Sequence, residues 1–179
     1  MERVRLGYLA SLKINENYIG GVMVTDEAAI PLEFKYTEPL QPTRIQRILF
    51  GKSMERYINE EVIRRNLLKE INSLPLVYFV SDSALLGDVA PGKVPIILLQ
   101  STTLPGLARP GELQRVKEKE VLLQPGTSAN PLRLTFFTPE TDVQERVLNF
   151  LRGISGRIDL SEPFQRVEAA LVALCQEKN

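Results

Sequence analysis

Asp82 follows the apolar run Leu74–Val80 and stands between Ser81 and Ser83. The C-terminal end of a buried strand is a place where an acid can ligate a metal or act as a general base. Phosphoester hydrolysis built on two metal ions needs several such carboxylates converging. The other acids that the fold would have to bring to Asp82 are Asp26, Glu33 and Asp88. The commoner role for an acid in this position is an Asx-type cap that opens a turn.

The chain has no histidine and one cysteine, Cys175. Ser-His-Asp and Cys-His catalysis are therefore excluded, as are His-ligated and Cys-rich zinc sites. Cys175 lies on the apolar stripe of a C-terminal helical segment, which marks a buried structural thiol. Carboxylate, lysine, tyrosine or serine chemistry remains, with Mg or Ca held by oxygen. No cofactor is implied.

A second feature is basic. Arg44, Arg47, Lys52, Arg56, Arg64 and Arg65 gather on a central helical region, and Glu55 is the single acid between Arg44 and Arg56. Such a face contacts phosphates or is simply solvated and laced with helix ion pairs. Gly51-Lys52-Ser53 resembles the end of a phosphate-binding loop, but Gln46 occupies the place of its first glycine. A helix break followed by an N-cap at Ser53 accounts for it better.

The elements that must position these residues follow from periodicity. Val4, Leu6, Tyr8, Ala10, Leu12 and Ile14 alternate with Arg3, Arg5, Gly7, Ser11 and Lys13, and only Leu9 breaks the polar face. That is a strand with one buried face. Tyr18–Val24 and Ile30–Tyr36 complete a three-stranded meander. Gly20-Gly21 suggests a bulge or close backbone approach, and Pro31 a strand start or edge. Ile45, Ile48 and Leu49 predict a short helix. Met54, Tyr57, Ile58, Val62, Leu67, Leu68 and Ile71 predict a longer one facing a core.

Leu74–Val80 and Val94–Leu99 predict buried strands. Leu113–Leu123 favours an exposed or edge strand over a helix, and Pro131–Thr138 the last strand. Two helices close the chain, with Thr138 or Thr141 and then Ser161 as caps. Loops fall near 87–95, 104–111 and 124–131. The stretch 101–111 is long enough to be a binding loop.

Three strands, a helix and a fourth strand ending in Asp82 resemble the start of a ribonuclease H-like fold. The resemblance implies Mg-dependent hydrolysis around Asp82. The chain departs from it in the first strand, which offers Arg5, Ser11 and Lys13 but no inward acid. It departs again at 81–93, which is too short and too rich in Pro and Gly for a second full helix.

The 179 residues carry 22 basic and 22 acidic side chains. That balance argues against a whole-protein nucleic-acid binder and leaves a local patch open. No apolar run approaches the roughly 20 residues of a membrane span. The expectation is a single α+β domain over 1–179. Its mostly antiparallel sheet has six or seven strands and opens with the meander, and its helices pack on one face. The leading function is a non-enzymatic cytoplasmic binding or interaction protein of unspecified ligand, compatible with a homodimer. Two alternatives stand beside it. One is a Mg-dependent hydrolase or nuclease around Asp82. The other is nucleic-acid or phosphate binding through Arg44–Arg65.

Overall fold

The computed structural model describes residues 3–139 and 141–178. Strands β1 (Arg5–Ile14), β2 (Asn17–Asp26) and β3 (Pro31–Tyr36) pair antiparallel in chain order. Pro31 is the first residue of β3, at the sheet edge, where its missing N–H costs no ladder bond. A helical region follows, broken at Gly51 (φ 52°, ψ −129°), where the sequence predicted a helix break. It runs through α1 (Arg44–Phe50), a 3₁₀ turn at Gly51–Ser53, α2 (Met54–Tyr57), a π-helix at Ile58–Arg65 and α3 (Asn66–Lys69).

Strand β4 (Val77–Val80) then pairs parallel with β1. The two-residue β5 (Val89–Ala90) turns back along the start of β6 (Val94–Ser101), which is parallel to β4. An antiparallel hairpin, β7 (Leu113–Lys117) and β8 (Glu120–Leu123), and β9 (Leu132–Phe136) complete the sheet. Helices α4 (Thr141–Ile154) and α5 (Glu162–Glu177) end the chain. The path across the sheet is β3-β2-β1-β4-β6-β9-β8-β7, with β5 on the side of β6.

The fold is α+β and its sheet is mostly antiparallel, but three sequence expectations need correction. The sheet has nine strands and is mixed, because β1, β4 and β6 run parallel. Helices cover both faces. On one face Leu6, Tyr8, Phe79 and Ile97 pack with Val147, Leu151, Phe164, Val167 and Leu171 of α4 and α5. On the other, Leu9, Val22, Val80 and Leu98 pack with Ile58, Ile63 and Leu67. The physical reason is that strands buried on both faces read as continuous apolar runs. Leu9 is the exposed-face exception in the alternation and is fully buried under the π-helix segment.

The third correction concerns α1. Ile45, Ile48 and Leu49 are 63%, 65% and 76% exposed, and α1 buries none of its residues. Tyr57 also leaves the core, at 44% exposure. The π-helix explains the longer helix, since its i→i+5 bonding puts Ile58 and Ile63 on one face.

Caps also differ. Ser53 donates its hydroxyl to the Phe50 carbonyl at 2.6 Å and caps nothing. Thr43 caps α1 instead, in a reciprocal capping box with Gln46. Ser161 precedes α5 without a side-chain cap bond, because its hydroxyl donates to Asp159. The expected cap of α4 falls at its start, where Glu140 lies outside the described residues.

Gly20 and Gly21 are sites of close approach. A Cβ on Gly20 would stand 2.2 Å from Ile63 Cγ2, and one on Gly21 would stand 2.9 Å from Leu171 Cδ2. The bulge lies further on, between Val24 and Thr25.

Candidate functional site

The three parallel strands give the sheet a polar end. Leu9, Val80 and Leu98 form one row across β1, β4 and β6, on the face under the π-helix. Side chains alternate along a strand, so two residues further on the same face carries Ser11, Asp82 and Gln100. The backbone stays extended at Asp82 (φ −119°, ψ 130°). Gln100 pairs with Arg133 of β9. Toward their C-terminal ends the parallel strands thus present a hydroxyl, a carboxylate and an amide in one row, which the guanidinium of the antiparallel β9 extends. That end of an open sheet is where ligands commonly bind.

Ser11, Asp82 and Arg133 have local partners. Ser11 Oγ donates to Asn59 Oδ1 at 3.0 Å, tying β1 to the π-helix. Asp82 is exposed, and its Oδ1 accepts from Ala84 N at 2.9 Å. The Asx-type cap expected from the sequence is therefore present, and it leaves Asp82 Oδ2 toward solvent chemistry. Arg133 Nε lies 2.9 Å from Glu120 Oε1. Beyond Ser11, Lys13 stands 3.7 Å from Glu55, and the Tyr18 hydroxyl donates to the same carboxylate at 3.3 Å.

The acids named as companions of Asp82 have other work. Asp26 Oδ1 accepts from Ala28 N and Ile30 N, closing the β2–β3 turn. Asp26 lies across from Arg5, at the start of β1 and so at the other end of the parallel strands. Glu33 accepts from the backbone N–H groups of Asn72 and Ser73. Burial pushes the Glu33 carboxyl up, but these bonds outweigh it and hold the group below its ordinary value. Asp88 borders a cleft beside the start of β6. Among the described residues no three acids or cysteines are grouped to hold a metal ion. The donor set does not make a preformed multi-carboxylate metal centre.

The basic residues divide. Arg44, Lys52 and Arg56 are exposed and enter no ion pair among the described residues. Arg47 is paired with Glu16 at 2.7 Å, which sets α1 beside the β1–β2 turn. Arg65 is paired with Glu61 on its own helix. Arg64 turns inward and donates to the Leu86 carbonyl at 2.9 Å. It is a structural clamp, and Gly87 admits it, since a Cβ there would stand 2.6 Å from the guanidinium carbon. Lys52 belongs to a 3₁₀ turn that follows a helix, which removes the phosphate-loop resemblance. Cys175 is buried. In the long loop, Leu107 N donates to the buried Gln124 side chain, and Asn130 donates to the Leu104 carbonyl.

Sequence reasoning singled out Asp82 but missed the row it belongs to. Gln100 and Arg133 are far from it in the chain, and only the strand order brings them together. The exposure of Ile45, Ile48 and Leu49 was also missed; α1 is held instead by the Thr43–Gln46 capping box, the Arg47–Glu16 pair and Phe50 packed against the core.

No family model matches the sequence, and no curated protein does. Solved structures do match. Endonuclease V from Bacillus subtilis aligns with a TM-score of 0.59 at 11% identity, over 99% of this chain and 82% of that one. Endonuclease V from Streptomyces avermitilis aligns at 0.54 and 12% identity, covering 99% and 83%. Endonuclease V from Ciona intestinalis, solved with a 24-mer DNA containing an inosine followed by a ribo-adenosine, aligns at 0.52 and 9%, covering 99% and 88%. Identities this low establish the fold alone: the chain is built on the fold of these endonucleases.

Proposed function

We propose that this protein acts on nucleic acid, holding a strand against the end of the sheet where β1, β4 and β6 finish. The observation that carries the proposal is the row of exposed Asp82 and Gln100 beside half-buried Ser11 and Arg133, flanked by the helical segments of residues 44–57, whose exposed side chains are basic and apolar together. Arg44, Lys52 and Arg56 supply charge for phosphates. Ile45, Ile48 and Leu49 supply exposed apolar surface against which unstacked bases can pack. The fold shared with endonuclease V supports the same class of ligand. An interaction protein of unspecified ligand, the leading expectation from sequence, gains no support from these likenesses.

A second reading is strand cleavage, favoured by Asp82, an exposed carboxylate at the strand end. Mg²⁺ commonly binds through one or two carboxylates together with substrate phosphates. On this reading Asp82 would hold the ion only when a strand is present. The metal would supply charge neutralisation at the phosphate, while Gln100 and Arg133 would orient it.

One experiment tests both. Labelled single-stranded and duplex DNA and RNA are titrated with the protein at low salt, with and without Mg²⁺. The expected result is binding that weakens when Arg44, Lys52 and Arg56 are changed together to Gln. Absence of binding to every probe refutes the first reading. Cleavage that needs Mg²⁺ and disappears in Asp82→Asn, with binding retained, supports the second. Binding without cleavage refutes it.

A further inference from the structure

The opposite end of the parallel strands holds a different feature. Arg3, Arg5, Lys93 and Arg146 line one cleft of about 370 Å³, and no acid lines it. They come from the start of β1, the turn before β6 and helix α4. Among the described residues none of the four makes an ion pair or a side-chain hydrogen bond, although Asp142 lies one turn before Arg146 on α4. Four like charges lining one concavity give it a positive potential that favours an anion there.

The turn that carries Lys93 has an unusual backbone. Gly92 has φ +77° and a Cβ on it would stand 2.7 Å from Leu74 Cδ1. Lys93 itself is held at φ +58°, a region that side chains other than Gly, Asn and Asp seldom adopt. Strain of this kind gathers at ligand sites.

Lys93 is also the shared wall of a neighbouring cleft of about 400 Å³, where Ile96, Phe136, Phe137 and Val143 offer apolar surface and Asp88 an acceptor. Phe137 is 45% exposed. We infer that these adjoining clefts bind a nucleoside phosphate. Its phosphates lie among Arg3, Arg5, Lys93 and Arg146, and its base lies against Phe137 and Val143, with Asp88 accepting from an exocyclic amine. The site is separate from the strand-binding surface, so either can fail without the other.

The test is calorimetric titration of the full chain with ATP, tripolyphosphate and adenosine at low salt and without Mg²⁺. The expected order is ATP tightest, tripolyphosphate weaker and adenosine weakest. Combined Arg5→Gln, Lys93→Gly and Arg146→Gln should weaken ATP and tripolyphosphate by at least about tenfold, since each contact to a charged group is worth on the order of a tenfold change. Phe137→Ala should weaken ATP and leave tripolyphosphate unchanged. Lys93→Gly alone controls for folding, because Gly accepts positive φ, and its Tm should not fall. A terminally phosphorylated oligonucleotide that displaces ATP supports the site with a strand end as the source. An oligonucleotide that does not displace it supports the site with a free nucleotide as the source. No binding of ATP or tripolyphosphate at millimolar concentration overturns the inference. So does ATP binding that the triple variant retains in full.

Discussion

Tyr8 and Tyr78 both bury a phenol oxygen that has no hydrogen-bond partner among the described residues. An orphaned buried donor costs about 1–3 kcal/mol. Tyr8 keeps its ring for packing, 5.5 Å from the Phe79 ring and 5.2 Å edge-on to Phe164. Tyr8→Phe and Tyr78→Phe should therefore be at least as stable as the parent in urea unfolding. Burial also raises the pKa of both phenols above the ordinary 10.0. A raised folded-state pKa means stability that is present below that value and lost as pH rises beyond it. Parent protein should weaken above pH 10.0, and each Phe variant should show a shallower loss.

Glu33 gives the opposite sign. Its folded pKa lies below the ordinary 4.5, so its contribution is present above that pH and disappears as pH falls through the folded value. Glu33→Gln should lower the Tm at neutral pH, and the gap should close in acid. A gap independent of pH would mean that the carboxylate charge is not what Asn72 and Ser73 recognise.

At the scale of elements, the π-helix is the part that fixes how close the second layer sits. Gly20 is the position that permits it, with Ile63 pressed where a Cβ would stand. Gly20→Ala should destabilise by about 1–3 kcal/mol, as overpacking does. Adding Ile63→Ala should recover part of that loss in a double-mutant cycle, despite the cavity it opens.

The strands were largely legible in the sequence because period two and short apolar runs are local signals; β1, β3 and β9 carry the first, and β2, β4 and β6 the second. Asp82, just past the end of β4, was legible because it follows such an apolar run. The π-helix was not, because five-residue spacing in Met54–Ile71 is close enough to a normal helix to pass for one. Leu9 and the continuous apolar runs of β2, β4 and β6 signalled the second covered face. The two clefts were invisible, since residues 3, 5, 93 and 146 meet only through strand order. The exposure of Ile45, Ile48 and Leu49 was hidden too, because an apolar stripe looks the same whether a partner inside the chain covers it or none does.

For the whole molecule, equal numbers of acidic and basic residues mean that any attraction for a polyanion must come from where the charges lie. Arg44, Lys52 and Arg56 are exposed on one side of the Asp82 end, while Glu16, Glu61 and Glu120 are taken up by Arg47, Arg65 and Arg133. Local charge of this kind predicts strand binding that falls with salt. Each phosphate contact contributes a slope of about 0.7 for single strands and about 0.9 for duplex DNA in log affinity against log salt. Changing Arg44, Lys52 and Arg56 together should therefore flatten the slope by roughly 2 on single strands. Asp82→Asn removes a negative charge beside the same strand. It should leave the slope unchanged or steepen it, and raise affinity in the absence of Mg²⁺. A slope that the triple change leaves intact would move the strand away from α1. An Asp82→Asn variant that binds more weakly without metal would mean that the carboxylate accepts a hydrogen bond from a base instead of facing a phosphate.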